Sequence, residues 1–226
     1  MRSLFPAHVW PRIALAIFSV VCAVQAAWIV APEFQRPRTI RIPLDAQAAS
    51  RARPEQDRAE RAASLAIVRG DLWAESGFTY ADLLWSDAAQ GGVVNDTARA
   101  DLERALKYSP HRGDVWLMLA ALVDRYKSPT PLPSALLKMS FYTAPNELIL
   151  LPQRLMLSFR VQGIEDPDTQ DMIKRDLRML LSRTPDSKSV LVAAYKKALP
   201  GNRPFIERIV SEVDPLLAKT MHSESR

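Results

Sequence analysis

The sequence predicts an all-α protein: one apolar N-terminal helix, then a short α-solenoid of about three to four helical hairpins. Three observations carry this. Residues 13–31, IALAIFSVVCAVQAAWIVA, contain no charge. The phrase RGDLW at 69–73 returns as RGDVW at 112–116. Glycine is scarce, at 7 of 226 residues, while Ala, Leu, Arg and Asp recur in clusters that favour helix.

The apolar run comes first. Its 19 residues, at about 1.5 Å each, come to just under ~30 Å of helix, one hydrocarbon core. Pro11 falls in the first helical turn, where its missing N–H costs nothing. Trp10 and Trp28 bracket the run as interfacial aromatics do. A retained single-pass anchor, residues 1–31, is therefore expected, with the lipid bilayer as partner through 13–31. A cleaved signal peptide is the competing reading: Arg2 and Arg12 give a basic start and VQA at 24–26 resembles a cleavage site. The chain stays apolar beyond that site, which favours the anchor. Arg2 and Arg12 on one side face Arg36, Arg38 and Arg41 on the other, so the charge rule for topology gives no clear vote. An inner-membrane anchor with a periplasmic domain is the expectation; secretion after cleavage and a cytoplasmic domain are the alternatives. Residues 32–54, rich in Pro and Arg, read as an extended spacer.

Charge and composition exclude several classes. The net charge of +5 comes wholly from residues 1–69, where ten arginines meet five acidic residues. That excess flanks the apolar run, which suits membrane phosphates better than a nucleic-acid face. Cys22, the one cysteine, lies inside the run and reads as a passive apolar residue. The three histidines, His8, His111 and His222, are far apart in sequence. No cofactor, metal site or enzymatic activity is expected. The acidic stretch GIEDPDTQD at 163–171 lacks calcium-loop order and fits a helix start at Pro167.

The repeated phrase sets the register of the rest. Trp73, Ser76, Gly77 and Tyr80 follow the first copy; Trp116, Leu119, Ala120 and Val123 follow the second. Both place large residues on one helical face with a small residue for close approach. After the first copy, Ala98, Leu102, Ala105 and Pro110 fall at the spacing of a second helix and its terminator. This pattern resembles the tetratricopeptide repeat (TPR), whose period is 34 residues. The observed offset is 43. A nine-residue insertion is expected at 86–94, SDAAQGGVV, with Gly91-Gly92 in a loop and Asp96 capping the next helix. The pattern loosens onward. Pro133 should open a shortened helix ending near Pro145, and third-unit helices fall in 151–162 and 168–185. Repeats are assigned to 55–200. Residues 201–226 are read as a capping helix, with Phe205, Ile206, Ile209, Val210 and Val213 on one face, and a polar tail.

The resemblance implies a scaffold that binds segments of other proteins, and many bacterial TPR modules are tethered to the inner membrane by one N-terminal helix. It also implies a groove lined by the first helix of each hairpin. By position that groove holds Phe78 and Asp82, then Leu117, Ala121, Asp124 and Arg125, then Met156 and Arg160. Its edges should be acidic and its floor apolar. The expected function is a membrane-anchored TPR-like scaffold recruiting a protein partner in a bacterial cell-envelope assembly. The alternative is a structural subunit of an integral envelope complex, such as polysaccharide export or cytochrome maturation. A cell-adhesion role for the RGD tripeptides would need exposed loop tips; here each precedes a Trp at a helix start.

Overall fold

The computed structural model describes residues 9–36, 53–86, 91–128, 130–184 and 187–224. Among these the chain is all-helical, with eleven α-helices and no strand. It divides into two compact units, Met1–Tyr108 and Ser109–Arg226.

In the first unit, α1 (Val9–Val30) is exposed to solvent along its length. The stretch Trp10–Gln35 is long and apolar enough to cross a membrane. A 3-10 turn follows at Ala31–Gln35 and buries Pro32. Then come α2 (Arg53–Ala66), α3 (Gly70–Ser86) and α4 (Gly91–Tyr108). α2 presents Ala59, Ala62, Ala63 and Ala66 as one buried stripe of small residues, so α3 can lie close. On its other side α3 packs against α4. A Cβ added to Gly77 would meet the Leu102 side chain at 2.7 Å and the Ala98 carbonyl oxygen at 3.2 Å. The small residue of the repeat is thus the point of closest approach within the hairpin.

Three expectations about this unit need correction. Ser86 ends α3, and Gly91 to Val94 open α4, so Gly91-Gly92 is helical rather than a loop. Asp96 lies inside α4 and does not cap it. The extra length sits in the helices: α3 and α4 run 17 and 18 residues, against 13 and 11 for the next two. Residues 87–90 of the expected insertion lie outside the described residues. The expected spacer is also not extended at its start, because residues 31–36 pack against the unit; its continuation at 37–52 lies outside the described residues.

The second unit contains α5 (Gly113–Arg125), α6 (Pro133–Thr143), α7 (Leu151–Ser158), α8 (Pro167–Arg183), α9 (Lys188–Lys196), α10 (Arg203–Val213) and α11 (Pro215–Glu224). Proline at the first turn opens α6, and Asp166 caps α8 by accepting from the Thr169 N–H at 3.1 Å. Consecutive helices pair as α5–α6, α7–α8 and α10–α11, while α9 packs on α7 and α11. Across pairs, α5 touches α7, α7 touches α9, and α8 touches α10. Gly113 lets the start of α5 approach the end of α6, where an added Cβ would lie 2.4 Å from that of Ala144. Ser140, where the repeat pattern expects alanine, donates to the Gly113 carbonyl at 2.7 Å. Ile206, Ile209 and Val210 are buried on α10, while Phe205 and Val213 are half-buried. The expected polar tail is mostly α11, which buries Leu217 and Met221 and packs on α9 and α10.

The center of this unit is charged. Arg154 on α7 and Asp176 on α8 have no solvent exposure, and Nε of Arg154 lies 2.9 Å from the Asp176 carboxylate. Nη1 of Arg154 also donates to the carbonyls of Ser140 (3.2 Å) and Ala144 (2.9 Å) at the end of α6. Its guanidinium lies 5.0 Å from the center of the Phe141 ring.

Two stability predictions follow from burial. Trp73 is 8% exposed, and Trp73→Ala should cost about 3–5 kcal/mol. Trp116, expected to be buried like it, is only half-buried, so Trp116→Ala should cost clearly less; equilibrium denaturation of the two variants reads the difference. Asp176→Asn strands a guanidinium that cannot shed its proton and should cost about 3–5 kcal/mol. Arg154→Met combined with Asp176→Leu should recover most of that loss in the same assay.

Candidate functional site

Both copies of the repeated phrase fold alike. Arg69 Nε and Nη2 reach the two Asp71 oxygens at 3.2 and 2.6 Å, and Arg112 grips Asp114 in the same way. Trp73 Nε1–H donates to the Ile67 carbonyl at 2.9 Å, and Trp116 Nε1–H to the Pro110 carbonyl at 2.8 Å. In each case the acceptor lies six residues back. The phrase is a turn-and-helix start, and both tripeptides are tied into it, unlike an adhesion loop tip.

The residues expected to line a groove scatter. Phe78 is 2% exposed and Leu117 is 4% exposed, so both belong to the cores of their units and not to a partner surface. For Phe78 the reason is α2: with helices on two sides, α3 is buried continuously from Leu72 to Thr79. Asp82 is half-buried on α3. The other five lie in the second unit. Ala121 and Met156 are half-buried, Asp124 is largely buried, and Arg125 and Arg160 are exposed.

Of these, the structure joins Asp124 and Arg160. Arg160 Nη2 donates to Asp124 Oδ2 at 2.7 Å, linking the end of α5 to the segment after α7. Lys127 Nζ donates to the other oxygen at 3.0 Å. Lys127 adopts φ 51°, and the Ser128 N–H reaches back to the Val123 carbonyl at 3.2 Å. This left-handed residue ends the helix and turns its ammonium back over Asp124. Lys127 and Arg160 therefore both pair with the Asp124 carboxylate, and the exposed Arg125 is next to it in the chain.

A second constellation lies where α1 meets the first unit. Trp28 Nε1–H donates to the Leu65 carbonyl at 2.8 Å. Arg69 Nη1 donates to Glu33 at 2.6 Å. Arg36 donates twice to Glu75 Oε1, at 2.8 and 2.5 Å, and lies 3.7 Å from Asp71. The Glu75 side chain is 1% exposed, and its hydrogen bonds to Arg36 hold that guanidinium above its ordinary pKa. The network fastens the segment after α1 to the first turns of α3. Sequence reading missed it, although Leu72, Glu75, Ser76 and Thr79 already placed a carboxylate on a helical core face.

Among the described residues, no group of three or more His, Cys, Asp and Glu is arranged to hold a metal ion. No protein-family model matches the sequence, and no curated protein or solved structure matches it either.

Asp71 gives the clamp a pH dependence. Burial raises its carboxyl, but hydrogen bonds and charge from Arg69, with help from Arg36, outweigh burial and hold it below the ordinary carboxylate value. The unfolded chain therefore takes up this proton at higher pH than the folded one. The contribution of Asp71 is complete above the ordinary carboxylate range and is lost as pH falls through the lowered value. Asp71→Asn should show a shallower loss of stability on acidification than wild type, read by tryptophan emission of the full chain in detergent.

Proposed function

We propose that this chain is a membrane-anchored, TPR-like interaction scaffold that recruits a protein partner in a bacterial cell-envelope assembly, with its helical domain on the periplasmic side. The observation that carries the reading is the stacking in the second unit. The first helices of the two hairpins meet (α5 on α7), and the helices that follow continue the stack (α9 on α7, α10 on α8). That arrangement is expected of a solenoid, in which each hairpin covers the apolar face of its neighbor. The close approach at Gly77 and the shared geometry of the two RGD-Trp turns support the same reading. A solenoid works as a binding surface rather than a reaction vessel, so the proposed role is not enzymatic.

The α5–α7 edge, with Ala121 and Met156 beside Arg125, Lys127 and Arg160, suits an extended partner segment carrying acidic side chains. A photo-crosslinking residue at Met156 in living cells should capture such a partner. Reversing charge at Lys127 and Arg160 to Glu should reduce capture by about tenfold or more, the equivalent of ~1.4 kcal/mol, with helicity and membrane location unchanged. Undiminished capture would move the binding surface elsewhere. External protease should cleave the domain in intact spheroplasts; protection would place it in the cytoplasm.

A further inference from the structure

We propose that the first unit lies against the bilayer, seating an apolar corner formed by Phe34, Leu65, Ile67 and Val68 in the interface on the side where α1 ends. This rests on the reading of α1 as a membrane span. The corner joins α2 to α3, and all four side chains are exposed: Phe34 by 83%, Val68 by 58%, Ile67 by 54% and Leu65 by 47%.

The occupant follows from continuity with α1. Trp28 lies in the last turns of the apolar helix, at the depth where an indole ring spans the boundary of acyl chains and headgroups. Its N–H, which would otherwise seek water or a headgroup, donates to the Leu65 carbonyl. Leu65 therefore shares the depth of Trp28. Ile67 and Val68 are next along the chain, and Phe34 follows α1 by four residues. A bilayer crossed by α1 meets this corner.

The backbone of the corner is prepared for an apolar medium. The Ile67 N–H donates to the Ala63 carbonyl at 3.1 Å and the Val68 N–H to the Ala66 carbonyl at 2.5 Å. The Leu65 carbonyl accepts from Trp28 and the Ile67 carbonyl from Trp73. These groups need no water, which is the condition for entering hydrocarbon. Ile67 also adopts φ 42°, a left-handed conformation unfavorable for a β-branched residue. That conformation carries an exposed isoleucine side chain at the tip of the turn. Behind the tip, Glu33, Arg36, Arg69 and Asp71 form their ion pairs, suited to the headgroup layer.

The test uses the full chain reconstituted in phosphatidylcholine–phosphatidylglycerol vesicles. A polarity-sensitive fluorophore is attached to native Cys22, or to single cysteines introduced by Phe34→Cys, Ile67→Cys, Val68→Cys or Val93→Cys in a Cys22→Ser background. Nitroxide lipids quench at shallow or deep positions. Val93 is an exposed apolar control in the first turn of α4, at the opposite end of the hairpin. Shallow nitroxides should remove most of the emission at 34, 67 and 68 and spare 93, while deep nitroxides quench Cys22. Quenching at Cys22 without quenching at 34, 67 and 68 overturns the docked corner and leaves the span intact. No quenching at Cys22 overturns the span, and the proposal with it.

Discussion

A guanidinium cannot give up its proton, so wherever it is buried its charge must be matched. In the second unit Arg154 imposes that condition on three helices. It is carried by α7, bonded to the terminal carbonyls of α6, and paired with Asp176 on α8. An apolar pair of similar volume could fill the same space and be at least as stable. It would not fix register, because apolar contacts tolerate a helix sliding by part of a turn, whereas three polar contacts of about hydrogen-bond length do not. The next connection uses a gentler form of the same device. Asn202 donates to the carbonyls of Phe159 and Val161 at 3.2 and 2.8 Å, stitching the turn before α10 to the one after α7.

The first unit meets the same constraint at its edge. Glu75 is out of water on α3, and its counter-charge comes from Arg36, beyond the end of α1. The two copies of the repeated phrase differ in this respect. Arg112 and Asp114 grip each other, while Arg69 and Asp71 also engage Glu33 and Arg36. One turn thus serves two purposes: it starts a helix in both copies of the phrase, and in the first it receives the segment that follows α1. Within the first unit, α2 and α3 are held at the end of α1 by direct contacts.

Much of this was legible in the sequence. The RGD-Trp phrases marked helix starts, Gly77 marked close packing, and Pro133 and Pro167 marked helix openings. The 43-residue offset was read as a loop because a repeat period counts residues and not their conformation; longer α3 and α4 absorb them. The Pro-rich segment after α1 looked extended because local chemistry says nothing of a carboxylate 39 residues away. The groove assignment failed at Phe78 because it assumed α3 was the first helix of its stack, leaving that face bare. The buried pair was readable and overlooked. Leu151, Arg154, Leu155 and Ser158, and likewise Ile173, Asp176, Leu177 and Leu180, follow core spacing with one charge in each set. Opposite charges on the core faces of successive helices point to each other.

Three described residues take the left-handed conformation, and each resolves its cost differently. Gly163 has no side chain to clash, and a Cβ there would also lie 2.7 Å from Ser134 Oγ. Lys127 closes α5 and recovers an ion pair with Asp124. Ile67 does neither. Its side chain is apolar, β-branched and exposed, so asparagine or glycine would make the same turn at less cost. The turn lies beside Trp28, at the end of the apolar helix, and the proposed seat in the bilayer would take up that side chain.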